Sequence, residues 1–181
     1  MRRLSVVLAV ALLPGVLFAQ SLRRAPGFSL PDLKGNEHDL QDYRGKIVLL
    51  DIMRTDCPHC APFAQVLEEI KAHYRGKVGV LAIVNPPDNQ TTVGRFVAQR
   101  KITYPILFDC GQAAYSYILP DAMRPEVSVP HIYLIDAGGM IRGDWAFGPA
   151  TSGIFEGRGL YTEIDKLLGV KSASMRTPQA D

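Results

Sequence analysis

Cys57-Pro58-His59-Cys60 sets two thiols with two residues between them. The pair follows an apolar run of strand character, Ile47 to Met53, and stands where a helical pattern begins. At this spacing the first thiol can attack a disulfide, and the second, one turn into a helix, can attack the resulting mixed disulfide and release the substrate. A helix start also puts Cys57 at the positive end of the macrodipole, which favours a thiolate. A zinc site takes two further ligands at matching spacing, and no second Cys-x-x-Cys or His-x-x-x-His is present. Residue 61 is alanine, so the Cys-x-x-Cys-His pattern of haem attachment is absent as well. Cysteines this close together close too short a loop to staple a fold. The pair reads as redox chemistry, with Cys57 as nucleophile and Cys60 as the more buried resolving thiol.

The neighbours of the pair pull in different directions. An imidazole at His59, charged or hydrogen-bonded to the thiolate, makes the disulfide easier to reduce and the pair a better oxidant; the alternative is a solvated histidine. Asp56, directly before Cys57, opposes ionisation of the thiol, and Arg54 is placed to offset it. Asp51 interrupts an otherwise apolar run, where burial raises a carboxyl pKa and makes it a usable general base; the alternative is an acid paired at a strand end. Cys110 reads as a lone buried thiol, with an additional redox partner as the less common alternative. A copper site of Cys57, Cys60 and His131 is a non-enzymatic alternative. His38 and His73 read as surface residues, and Trp145 as packing.

These side chains need a frame. A chain of 181 residues with 47% hydrophobic and 21% charged residues suits a single core. Arg2 and Arg3, the apolar run Leu4 to Leu13, the break at Pro14-Gly15 and the Leu17-Phe18-Ala19 site read as a bacterial signal peptide over residues 1–19, cleaved before Gln20. An uncleaved anchor is the alternative, although the run falls short of the roughly 20 residues of a comfortable span. Taking Arg2 and Arg3 from the 20 Lys and Arg leaves 18 against 18 Asp and Glu. A mature chain without a basic excess gives no footprint for nucleic acid. The expected domain covers residues 20–170, not membrane-spanning, and residues 171–181 read as a flexible tail.

Within the domain, Ala25 to Leu40 predicts a small hairpin. Lys46 to Ile52 and Val78 to Val84 predict buried strands. Phe63, Val66, Leu67 and Ile70 predict a helix from Pro58 to Gly76, with Pro58 in its first turn. A helix over Thr91 to Lys101, a strand over Tyr104 to Phe108 and a short helix over Gln112 to Ile118 follow, then a loop through Pro120 and Pro125. His131 to Ile135 and Met140 to Phe147 flank Ala137-Gly138-Gly139 as a hairpin, and Gly159 to Leu168 closes the chain as a helix. Strands and helices alternating in this order describe an α/β sandwich with a mixed sheet.

Ala25-Pro26-Gly27-Phe28, Tyr43-Arg44-Gly45-Lys46, the dithiol, and Val129-Pro130 before a strand and Gly-Gly turn together resemble thioredoxin-fold proteins. The nearest type is the exported TlpA/ResA branch, related to the AhpC/TSA proteins, over residues 25 to 169. The resemblance implies a three-layer α/β/α sandwich and a thiol–disulfide oxidoreductase of the periplasm. It implies cysteine-containing protein substrates and a membrane-bound or soluble redox partner, with cytochrome c maturation or disulfide formation as the pathway. No organic cofactor or metal is required. Asp51 matches the buried acid that exchanges a proton with the resolving cysteine. Pro130 matches a cis-proline that, with Val129 and Pro58, lines the substrate chain. The Pro-His dipeptide is similar to that of the disulfide oxidase DsbA, whose large helical insertion this chain has no room for. Asp56 departs from the tryptophan usual before the first cysteine. A peroxiredoxin reading is weaker: Arg54 and Leu50 stand where that signature has threonine and proline.

Overall fold

The computed structural model describes residues 23–118 and 128–170. The segments read from sequence as a signal peptide (1–19) and a tail (171–181), and Pro120 and Pro125, lie outside the described residues. A two-stranded antiparallel hairpin, β1 (Ser29–Pro31) and β2 (Glu37–Asp39), precedes a five-stranded sheet. The sheet holds β3 (Ile47–Met53), β4 (Val78–Val84), β5 (Ile106–Phe108), β6 (His131–Ile135) and β7 (Ile141–Ala146), in the order β5-β4-β3-β6-β7. β3, β4 and β5 run parallel, whereas β6 and β7 are antiparallel to their neighbours. The sheet is therefore mixed, as the resemblance implies.

All seven residues of β3 are buried, because a central strand is covered on both faces and needs apolar residues at odd and even positions. Ile47, Leu49 and Met53 enter one core with α1 (Cys60–Tyr74), α2 (Gln90–Arg100) and α5 (Arg158–Leu168). Val48, Leu50 and Ile52 enter the other, against α3 (Gln112–Tyr117) and the segment carrying Ala25, Phe28 and Leu40. Alternation along the strand puts Asp51 in the first row. The same rule sorts β6: Ile132 and Leu134 face the α1 core and Tyr133 and Ile135 the opposite one.

α1 buries Cys60, Phe63, Ala64, Leu67, Ile70 and Tyr74, the stripe of a helix lying on a sheet. Asn89 caps α2 by accepting from the backbone N–H groups of Thr91 and Thr92, and Thr92 returns a bond to the Asn89 backbone. In the β6–β7 turn Gly139 has φ +78°, and a Cβ there would lie 2.6 Å from the Arg44 guanidinium. Glycine meets both demands.

Several boundaries differ from the sequence expectation. α1 begins at Cys60 with His59 as its cap residue, so Pro58 sits in the preceding turn and not in the helix. β5 begins at Ile106; ahead of it Pro105 has no N–H to give the ladder, but its carbonyl accepts from Ala82 N at 3.0 Å. A 3₁₀ turn at Pro149–Thr151 and the single-turn α4 (Ser152–Phe155) were not expected. They form because Phe155 is buried against Phe63, with ring centroids 4.7 Å apart. Trp145 packs half-buried on the α1 core, in keeping with its reading as packing.

Candidate active site

The parallel strand β3 ends at Met53, and the chain turns through Arg54 to His59 before α1 begins. That turn holds Cys57 half-buried at the surface while Cys60, the first helical residue, is fully buried. The Cys57 sulfur accepts from the Cys60 backbone N–H at 3.3 Å, one of the donors a helix start leaves free. Its own S–H points to the Val129 carbonyl, 3.7 Å away. Burial above all pushes the Cys60 thiol far up. A backbone hydrogen bond at Arg54 offsets part of this, and the hydrogen bond to Cys57 and the charges of Asp51 and Cys57 add to it. An accessible thiol beside a helix N-terminus and a buried thiol that ionises reluctantly form an asymmetric pair, suited to attack by the first and resolution by the second.

Resolution needs a base. Asp51 is fully buried, neither of its oxygens has a hydrogen-bond partner among the described residues, and burial holds its carboxyl well above the usual range. It shares the α1 side of the sheet with Cys60, and its charge contributes to the raised Cys60 thiol. A carboxyl there can exchange a proton with Cys60.

Among the described residues no hydrogen bond joins His59 to the Cys57 sulfur. Its ring stacks on Phe147, just after β7, with centroids 4.2 Å apart and planes 21° off parallel. The donor to Cys57 is the backbone of Cys60, so of the expected roles for His59 the structure does not form the hydrogen bond to the sulfur, and the ring is exposed. Asp56 is paired: Arg54 Nη2 donates to its Oδ2 at 2.6 Å, so its charge does not stand alone beside Cys57. The turn itself is fastened by Asp88. One of its carboxylate oxygens accepts from Thr55 N at 3.0 Å, and the other from the Thr55 hydroxyl and from Thr92 Oγ1, the latter at 2.8 Å.

The Val129–Pro130 peptide is cis, and Pro130 is buried beside the half-buried Val129. Pro58 is exposed in the turn. Cys57, Pro58, His59, Cys60, Val129 and Phe147 meet at one end of the sheet, and Asp51 lies beneath them. His131 does not join them. Its ring stacks on Tyr133 on the α3 side of the sheet, and Nε2 meets Asp144 Oδ1 at 2.7 Å. Strand alternation turns it away from Cys60, so the copper set of Cys57, Cys60 and His131 is not assembled. Among the described residues no three metal-ligating side chains cluster.

Cys110 is exposed, not buried. β5 ends at Phe108, and Asp109 turns inward to accept from Ala114 N at 2.9 Å at the start of α3, which leaves the next residue outside. His38 is not a free surface histidine either: Nδ1 meets the Tyr43 hydroxyl at 3.1 Å and Nε2 meets Asp32 at 3.2 Å. Sequence reasoning missed Phe147, Asp88 and Tyr104. Tyr104 alone left a trace, as the first residue of a run read as a short strand.

The model of the AhpC/TSA family matches residues 22–143. A thioredoxin-like protein YneN of Bacillus subtilis is 30% identical over 125 residues, 68% of this chain and 69% of the relative. A thiol-disulfide oxidoreductase ResA of Geobacillus kaustophilus is 36% identical over 85 residues, 47% of this chain and 49% of the relative. The crystal structure of a Chlorobium tepidum protein assigned as thiol:disulfide interchange protein DsbE superposes with a TM-score of 0.69 at 26% identity. That superposition covers 82% of this chain and 97% of the other.

Proposed function

The chain belongs to the AhpC/TSA family and is a thiol–disulfide oxidoreductase with a thioredoxin fold, and from that premise we propose that it exchanges disulfides with exported, cysteine-containing proteins through Cys57 and Cys60. The observation that carries this reading is the asymmetric pair: a half-exposed Cys57 sulfur on the Cys60 N–H, and a buried Cys60 above an unpartnered Asp51. Cys57 attacks a substrate disulfide. One substrate sulfur leaves as a thiolate and a Cys57–substrate disulfide forms. Cys60 gives its proton to the Asp51 carboxylate and attacks Cys57, which releases the second substrate sulfur. Two electrons pass from the dithiol to the substrate, and the reverse sequence oxidises one. The exposed Pro58 and the Val129–Pro130 segment border the sulfur and receive the substrate chain.

The amino-terminal sequence pattern supports a periplasmic site of action, and no described helix is long and apolar enough to cross a membrane. A redox partner, membrane-bound or soluble, restores the resting state of the pair. The pathway is cytochrome c maturation if the pair is reducing and disulfide formation if it is oxidising, and its reduction potential decides between them. Insulin reduction by the wild type and by Cys57→Ser tests the reading. The variant is expected to be inactive, and unchanged activity would remove Cys57 as nucleophile.

A further inference from the structure

Tyr104 belongs to the core shared by β3 and α1 and is almost wholly buried, yet its hydroxyl has no partner among the described residues. Other buried tyrosine hydroxyls here are docked: Tyr74 donates to Asp165 Oδ1 at 2.7 Å and Tyr117 to the Pro26 carbonyl at 2.7 Å. A buried hydroxyl left unpaired is unfavourable, and phenylalanine would fill the same space without it. Among the described residues, the two oxygens of Asp51 are orphaned in the same core.

The backbone holds Tyr104 between the elements that carry the other two groups. Its N–H donates to Glu68 Oε1 at 3.2 Å, and the Thr103 hydroxyl donates to Glu68 Oε2 at 2.9 Å. Glu68 stands on α1, the helix that begins at Cys60. On the other side, the Pro105 carbonyl accepts from Ala82, whose register partner on β3 is Asp51. Burial first, then the charges of Asp51, Glu68 and Cys60, keep the phenol far above its ordinary range, so the hydroxyl stays neutral and can both donate and accept.

We propose that Tyr104 is a positioning residue for the resolving step: with Asp51 and Cys60 it holds one buried water, across which the Cys60 proton passes to Asp51. This rests on the oxidoreductase reading above. Two carboxylate oxygens, a hydroxyl and a thiol supply the two to four polar partners that an internal water takes. In the step, the Cys60 S–H bond breaks and its proton travels through the water to the Asp51 carboxylate. The Cys57–substrate disulfide breaks, the Cys57–Cys60 disulfide forms, and the electron pair leaves on the substrate thiolate. The hydroxyl aims the water and, by donating toward it, favours the ionised form of Asp51. The titratable groups facing this point are Asp51, Cys57, Cys60, Glu68 and Tyr104.

The test uses full-length reduced protein carrying Cys110→Ser, so that the exposed third thiol is silent, mixed rapidly with dithiobis(nitrobenzoate). Attack by Cys57 releases a first coloured thiolate, and resolution by Cys60 releases a second. Tyr104→Phe is expected to leave the first phase within about twofold and to slow the second about tenfold, the effect of one lost hydrogen bond. The rise of the second-phase rate with pH moves to higher pH, because Asp51 ionises less readily. Tyr104→Phe combined with Asp51→Asn is no slower than Asp51→Asn alone. A second phase with unchanged rate and pH profile in Tyr104→Phe overturns the proposal, as does a double variant in which the two effects multiply. Loss of the first phase in Cys57→Ser is the separate check on the nucleophile, so failure of one reading is distinguishable from failure of the other.

Discussion

Replacing Asp51 by leucine stabilises the protein, by an amount that depends on pH. The two side chains have the same branched shape, so the exchange puts methyl groups where two buried oxygens stand that no described protein group satisfies. Relief of the unsatisfied carboxyl is worth about 1–3 kcal/mol, and each added methyl about 0.8 kcal/mol, so the variant gains about 3 kcal/mol even where the acid is protonated. Ionisation adds to this. Burial raises the folded-state pKa of Asp51 above the ordinary 3.8, so over a window above that value the unfolded chain releases its proton while the folded one keeps it. Wild-type stability then falls with rising pH by up to about 1.4 kcal/mol per pH unit, and levels off above the folded-state pKa. Asp51→Leu lacks this slope. Urea unfolding of the reduced proteins from acidic to neutral pH should show curves that separate as pH rises. A gain of about 3 kcal/mol corresponds to a Tm increase of roughly 6–12 °C. Asp51→Asn keeps the polarity and loses the ionisation, so it should remove the slope with little gain at acidic pH. Equal stability of wild type and Asp51→Leu, or a gap constant over the whole range, would refute the reasoning.

Other perturbations have equally definite outcomes. Asp88→Ala removes the three hydrogen bonds that fasten Thr55 and Thr92. It should cost about 1–3 kcal/mol in denaturant unfolding and raise amide exchange in the turn before Cys57. Asp32 is held down at about 2: its burial is outweighed by bonds from the Asn36 side chain and backbone, from His38 and from Lys34. Its contribution is therefore present above the ordinary 3.8 and lost as pH falls toward 2, so the deficit of Asp32→Ala should shrink in acid unfolding. Cys110→Ser should leave insulin reduction unchanged while removing the thiol that iodoacetamide labels in the oxidised protein; retained labelling would show that Cys57 or Cys60 is still free.

The fold was legible because its signals are local and strong. Ile47 to Met53 is apolar at odd and even positions, which only a strand covered on both faces tolerates. The stripe of Phe63, Leu67 and Ile70 has helical spacing. Helix ends and short elements were less legible, since they depend on partners distant in sequence. α4 exists because Phe155 docks on Phe63, and β5 starts late because Pro105 and Tyr104 turn to meet Ala82 and Glu68. Within the site, Asp51 stood out as the one charge in an apolar strand, whereas nothing near Cys57 in sequence pointed to Phe147 or Asp88.

By itself the sequence determined the kind of chemistry. Two thiols with two residues between them, set where a buried strand meets a helix, can do little but exchange disulfides, and that follows from local spacing. What surrounds the thiols was decided only by tertiary structure. His59, two residues after Cys57, turns onto Phe147, and His131 next to Pro130 turns to the far face of the sheet. Tyr104, more than forty residues from Cys60, is placed by Glu68 and Ala82 in the same core. Side-chain direction depends on strand alternation and on which distant groups satisfy a buried atom, and neither is a property of neighbours along the chain.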